Sequence, residues 1–317
     1  MKYILSFFFL SILATVYAQP VKPLLHLITG ETYYMSSTGT SAITQSIQGR
    51  ENKVNLQLLF TIAFKVTGKT DTLYNMEVHY QSIEMKIHVE DTTIDMNSVP
   101  KADAGKKKDT ASLLMAAIVN KPFYVELTAR GKVIAVKNLD KIIADVFNDF
   151  GQIDAAKKEQ IKSRFIQSFG ENTFRGSLET GVAIFPNNAV AKNDKWTVNS
   201  SLYAPAKVNI KTVYQLVDIT GDILVVHGEG IITTNDNAKP EDANGTPMKY
   251  NLNGGTVSDI KINKKTGWIN ELKVKQLTEG NLEIMDSPKT PGRMTIPMMF
   301  KTEVITTNNK SLQGGEK

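Results

Sequence analysis

The sequence predicts a mainly β fold with a minor α component: long curved antiparallel sheets, as a half-barrel or a two-lobed sandwich, packed against two or three helices. Three observations predict it. Apolar residues recur at every second position over long stretches, the period of a strand with one buried face. Short Gly-containing turns join these stretches, which makes neighbouring strands antiparallel. Apolar residues at three-and-four spacing, the period of a helix, gather near the middle of the chain.

The chain opens with Lys2, then an almost wholly apolar run from Ile4 to Val16, then Val16-Tyr17-Ala18 with small residues where a signal peptidase reads. This is the pattern of a secretory signal peptide over residues 1–18, with the mature chain starting at Gln19. The run falls short of the about 20 residues that span a bilayer. The expected location is periplasmic or secreted. Later apolar runs, such as Leu113 to Val119, are shorter still, so no transmembrane segment is expected after cleavage. The sequence contains no cysteine. Neither a disulfide nor the lipid-bearing cysteine of a bacterial lipoprotein is available, and the fold must rest on its core, which a chain of 317 residues is long enough to build. The net charge of +5 is spread along the chain, with Lys106-Lys107-Lys108 as the dense run. Such a balance reads as a solvated surface and not as a nucleic-acid footprint.

Residues 19–138 read as a first β lobe with a short helix. Val54, Leu56, Leu58, Phe60, Ile62, Phe64 and Val66 alternate without a break, and Gly68-Lys69-Thr70-Asp71 turns the chain. Met76, Val78 and Tyr80 resume on even positions, but Ile83, Met85, Ile87 and Val89 continue on odd ones. That slip predicts a β-bulge near Gln81-Ser82. A short helix is expected after Asp109, burying Leu113, Leu114, Ala117 and Ile118. Residues 139–170 read as a central helical segment. Leu139, Ile142, Ile143, Val146, Phe147 and Phe150 form one stripe ended by Gly151; Asp154 caps a second helix in which Ile161, Phe165 and Phe169 share a face before Gly170.

Residues 171–306 read as a second β lobe. Val208, Ile210, Tyr214 and Leu216 alternate, Gly221-Asp222 turns into Ile223 to Val226, and Lys264-Lys265-Thr266-Gly267 closes a hairpin that leads to Trp268. Met294, Ile296, Met298, Phe300 and Val304 mark a last long strand, where Pro297 calls for an edge or a bulge. Residues 307–317 are polar and read as a disordered tail. Gly30-Glu31-Thr32-Tyr33 and Asn193-Asp194-Lys195-Trp196 open the two halves in a similar way, which leaves an internal duplication open.

Chemistry-bearing motifs are sparse. His26, His79, His88 and His227 show no helical zinc spacing. No Gly-x-Ser-x-Gly elbow, phosphate loop or dinucleotide fingerprint occurs. Glu77, Glu84 and Glu179 could in principle supply a pair of carboxylates, yet nothing sets them apart from polar-face residues. The oxygen-rich stretch Asn235 to Gly245 lacks the spacing of a calcium hand and is interrupted by Pro240, so it reads as a loop. No catalytic, cofactor-binding or metal-binding residue is assigned.

The leader ending Val-Tyr-Ala before Gln19, the Gly30-Glu31-Thr32-Tyr33-Tyr34 strand opening, and Phe123-Tyr124-Val125-Glu126-Leu127 running into Gly131-Lys132-Val133 together resemble uncharacterised exported β-rich bacterial proteins of the Bacteroidetes type. These are defined only as a domain of unknown function. The resemblance covers nearly the whole mature chain and implies no activity or catalytic residue. At a greater distance the chain is similar to periplasmic lipoprotein carriers, whose curved antiparallel sheet cups helices over an apolar cavity.

The expectation drawn from these readings is an exported, non-catalytic protein that binds an apolar or amphipathic ligand, such as a lipid, in the bacterial envelope. Phe60, Phe64, Met298 and Phe300 would then line a cavity; the alternative for these four is a filled core. A structural or adaptor protein that binds another envelope protein through a sheet edge is the second reading. A carboxylate-dependent hydrolase is the third.

Overall fold

A computed structural model describes residues 20–99, 110–149, 155–203, 206–234, 240–242, 246–288 and 291–311. In chain order the elements are β1 (Thr32–Ile47), β2 (Arg50–Lys69), β3 (Leu73–Val89), β4 (Thr92–Asn97), α1 (Thr110–Ile118), β5 (Phe123–Thr128), β6 (Val133–Lys137), α2 (Leu139–Asp149), α3 (Ala155–Phe169), α4 (Glu171–Val182), β7 (Lys195–Tyr203), β8 (Lys207–Thr220), β9 (Ile223–Thr234), β10 (Glu241–Asp242), β11 (Pro247–Asn263), β12 (Ile269–Ile284) and β13 (Met294–Thr307).

Eleven of these strands form one continuous path, β6-β5-β3-β2-β1-β13-β12-β11-β9-β8-β7, with β4 beside β3 and β10 beside β11. Every pairing is antiparallel. The fold class is therefore the expected one, in its half-barrel form: a single open sheet. The first and last long strands meet in the middle, where β1 pairs with β13 from Ser36↔Thr307 to Gln45↔Met298. Pro297 lies one residue past that pairing, where β13 is locally an edge and no amide is needed.

The alternation in β2 sorts as its period demands toward the end of the strand, although Thr61 and Ala63 on the other face are buried too. Ile62, Phe64 and Val66 are buried while Lys65 and Thr67 are exposed. The predicted bulge is present: Thr61 pairs with Ser82 and Ile62 with Tyr80, so Gln81 is the extra residue that switches the apolar face of β3 from even to odd positions.

The two edge strands are bridged by α4, which packs on both β6 and β7. Glu179 on α4 accepts the Val133 amide at the start of β6 through Oε1 (2.9 Å). Past the helix end, the Ile184 carbonyl accepts the Trp196 indole N–H from β7 (2.7 Å). The first contact occupies an edge amide that would otherwise offer itself to another chain, and the second ties β7 to the helix end. Toward the interior α4 presents Phe174, Leu178 and Val182, and Phe174 meets the Phe123 ring edge-on at 4.9 Å.

The sequence reading did not assign α4. Its apolar residues fall four apart but are diluted by Gly176, Gly181, Thr173 and Thr180. Its N-terminus also lacks a local cap, since Gly170 has no side chain. Asp140, from the first turn of α2, reaches over and accepts the Glu171 amide at 2.8 Å. A tertiary cap of this kind leaves no signature in the local sequence. A Cβ at position 170 would stand 2.6 Å from that same Asp140 oxygen, so the cap also selects glycine.

The other three helices pack on their apolar stripes, with a difference in α1: Leu114 and Ile118 are buried as expected, Met115 is buried as well, and Leu113 and Ala117 are only half-buried. In α2, Leu139, Ile143, Val146 and Phe147 are buried, and the Phe147 ring lies 5.7 Å from Phe165 of α3. Phe165 in turn stacks on Phe169 at 4.7 Å. Phe150, Gly151 and Asp154 lie outside the described residues, as does the leader over residues 1–18. The polar tail starts later than its composition suggests. Thr307 closes β13, the Asn308 side chain accepts the Tyr34 amide (3.0 Å), and the Asn309 carbonyl accepts the Ser36 hydroxyl (2.7 Å).

One end of the half-barrel is plugged by the segment before β1. Leu25 and Leu27 are buried there. The Leu25 amide donates to Ala129 in the β5–β6 turn (2.8 Å), and the His26 amide donates to Thr266 in the β11–β12 turn (2.7 Å). The buried Tyr74 hydroxyl donates to the Leu25 carbonyl at 2.8 Å. Below the plug Trp268 is 1% exposed, with the rings of Tyr33 and Phe64 at 5.3 and 5.4 Å. The main core occupies this end, while Leu282, Ile296 and Met298 form a separate apolar cluster elsewhere in the sheet.

Candidate functional site: an interior cavity

Between the main core and that second cluster the sheet curls around a cavity of about 330 Å³. It is lined by strands from both wings of the sheet and by α3 and α4. The volume falls at the lower end of the range for small-molecule sites.

The lining combines apolar side chains with hydroxyls. Leu58, Phe60, Ile62, Phe64 and Ile83, from β2 and β3, make an apolar wall. Next to it and around the rest of the space, β1, β13, β11 and β8 present hydroxyls, among them Ser37, Thr302, Thr306, Ser258 and Thr212, interspersed with apolar Ile210, Ile260 and Val304. Some of these are paired across β1 and β13: Ser37 with Thr306 at 2.7 Å, and Ser41 with Thr302 at 2.9 Å. Cross-strand hydroxyl pairs of this type satisfy each other without a charge. Among the described residues, none that lines the cavity is an Asp, Glu, Lys, Arg or His.

Two tyrosines also border it, Tyr80 and Tyr214. Burial pushes the Tyr80 hydroxyl well above the usual range for a phenol. Burial pushes Tyr214 up to about 12, against the Thr212 hydroxyl, which favours the ionised form. The sign of the pH effect follows. The unfolded chain ionises near pH 10 and the folded one does not, so the folded state holds more protons and stability falls as pH rises above about 10. In urea titrations at pH 9 and pH 11.5, the wild type is expected to lose more stability than Tyr214→Phe, by roughly 1–2 kcal/mol. Equal losses in the two proteins would contradict the burial of this phenol.

The structure brings only two of the four sequence-predicted site residues to the cavity. Phe60 and Phe64 line its apolar wall. Met298 and Phe300 belong to the second apolar cluster, with Leu282 and Ile296. Sequence reasoning missed the hydroxyl sector. A signal for it was present on β13, where the inward positions Met298 and Phe300 are followed by Thr302 and Thr306 on either side of Val304. On β1 the inward positions Ser37 and Ser41 are likewise small and polar.

Other chemistry-bearing residues serve elsewhere. Glu179 holds the β6 edge, and Glu84 accepts from Asn97 at 3.1 Å and pairs with Lys86 at 2.9 Å. His227 sits on the outer face, 2.8 Å from Asp259 and 3.5 Å from Glu229, and the Asp259 hydrogen bond raises its pKa. Among the described residues no group of His, Cys, Asp or Glu is placed to hold a metal ion. Most of the oxygen-rich loop 235–245 lies outside the described residues. Also among them, no helix is long and apolar enough to cross a membrane. A second, shallower depression of about 1160 Å³ lies on the outer face, where exposed Val213, Ile231, Val257 and Leu277 are interspersed with lysines and glutamates.

Comparison with known proteins adds the following. No curated protein matches the chain. Among solved structures, one of lipovitellin, titled for its lipid–protein interactions, is similar over 92% of this chain at 9% identity and a TM-score of 0.41. The present chain spans about a quarter of that protein, 26% of its length. An outer membrane channel from Pseudomonas putida F1 is similar over 88% of this chain and 97% of its own, at 10% identity and a TM-score of 0.24. OpdQ from Pseudomonas aeruginosa follows at 6% identity and a TM-score of 0.15, over 87% of this chain and 98% of its own. These likenesses concern long antiparallel sheets and carry no functional argument. Sequence comparison is more specific: residues 71–269, well over half of the chain and spanning β3 to the start of β12, match one family throughout. The chain belongs to that family, the family of unknown function DUF6263.

Proposed function

We propose that the chain is an exported binding protein that holds an apolar or amphipathic ligand within its half-barrel. The observation that carries this reading is the interior cavity: about 330 Å³ of space walled on one side by Leu58, Phe60, Ile62 and Phe64. Apolar walls around open space favour an apolar guest, because filling the space removes surface from water and restores dispersion contacts. Export is supported by the leader pattern at residues 1–18. The sheet supplies the rigid wall that a binding site needs, and α4 closes the gap between its edges.

Native mass spectrometry of the protein, purified from its own host without detergent, tests this reading. The expected result is a population heavier than the polypeptide by one small organic molecule, released by organic extraction. A single peak at the polypeptide mass, before and after incubation with a host lipid extract, would contradict it.

The adaptor reading has one observation in its favour, the outer depression with its exposed Ile231 and Leu277. Capture of one stoichiometric protein partner by the wild type, lost in Ile231→Glu, would support that reading instead.

A further inference from the structure

We propose that the cavity selects an uncharged amphiphile: an apolar body that ends in a hydroxyl, carbonyl or ester group, and not a fatty-acid anion, a phospholipid or a cationic lipid. The inference rests on the binding reading above and deepens it.

The first support is the chemistry of the lining. The lining is mostly apolar; among the described residues its polarity comes from hydroxyls and the Gln276 amide, with no charged side chain. An ion brought against such a wall sheds water and meets no counter-charge, which is costly in a low-dielectric site. A neutral oxygen loses less on desolvation and regains it through one or two hydrogen bonds. Apolar side chains and hydroxyls share a single space, so a ligand with one greasy part and one neutral polar part satisfies both.

The second support is Tyr80. It is 7% exposed and it borders the cavity. The Phe123 and Phe174 rings lie 5.9 and 6.3 Å from its own ring and fix it in place. A phenol on the wall of the space can donate its O–H to a guest that supplies an acceptor. A bound hydroxyl, carbonyl or ester oxygen would do so.

The experiment uses three probes with the same ten-carbon chain: decanol, decyl sulfate and decyltrimethylammonium. Each is titrated into the mature protein by calorimetry, decanol below its solubility limit and the two ions below their micellar concentrations. Decanol is expected to bind at least about tenfold more tightly than either ion. The Tyr80→Phe variant, which keeps the ring and its packing, is expected to weaken decanol binding about threefold to tenfold and to leave 1-chlorodecane unchanged. Either ion binding within tenfold of decanol would overturn the choice of a neutral ligand and leave the binding reading standing. Failure of all four compounds to bind would overturn both. Unchanged decanol affinity in Tyr80→Phe would remove the phenol from the site.

Discussion

Replacing Trp268 by alanine is expected to cost about 3–5 kcal/mol of stability, one of the two largest single-site effects in the molecule. The indole is 1% exposed and is held between the rings of Tyr33 and Phe64. Its N–H donates to the Tyr34 carbonyl at 3.1 Å. Truncation would remove the aromatic contacts, leave a void next to Phe64, and deprive that carbonyl of its donor. The residue follows the β11–β12 turn, directly beneath the segment that plugs the barrel end, so the collapse expected around it is small. Urea unfolding followed by far-ultraviolet circular dichroism measures the loss. A change below about 1 kcal/mol would mean that this end of the barrel is looser than the packing described here.

The second large effect is expected at Gly131. Its φ is +81°, a left-handed conformation that side chains other than glycine adopt at a cost. A Cβ there would also overlap the Val182 carbonyl at the end of α4. The β5–β6 turn and the C-terminus of α4 are thus in backbone contact, reinforced next door by Arg130 donating to Asn187. Gly131→Ala combines backbone strain with forced displacement of a helix end, and a cost of about 3 kcal/mol is expected. The loss should appear first as faster hydrogen exchange at the β6 edge, including the Val133 amide that Glu179 accepts. Protection unchanged along β6 would show that α4 does not fasten this edge.

Much of this fold was legible in the residues. The unbroken alternation from Val54 to Val66 specified a strand and its buried face, and the change of phase after Tyr80 located the bulge at Gln81. Each of these signals is local: a period and its interruption. The parts that were not legible depend on distant residues. The start of α4 is capped by Asp140, some thirty positions earlier in the chain, and no pattern near Gly170 announces it. The pairing of β1 with β13 joins strands more than two hundred and fifty residues apart and sets the course of the whole sheet. For the site, aromatic residues on an alternating strand pointed to Phe60 and Phe64, but the same logic selected Met298 and Phe300, which pack against Leu282 and Ile296 instead. Alternation tells which face a residue occupies. It does not tell how far along that face the covering helices extend. The hydroxyl sector escaped because serine and threonine are ordinary on exposed strand faces, and only closure of the sheet turns Ser37, Thr212 and Thr302 inward around one space.

The central claim is that the half-barrel encloses a space that an apolar molecule can occupy. Crystals soaked with 1-bromodecane test it most directly, because bromine is located by its anomalous scattering independently of the modelling of weak density. The account predicts a bromine peak inside the half-barrel, between Phe60 and Tyr214. A peak confined to the outer depression near Ile231 and Leu277, or no peak in well-diffracting soaked crystals, would contradict it.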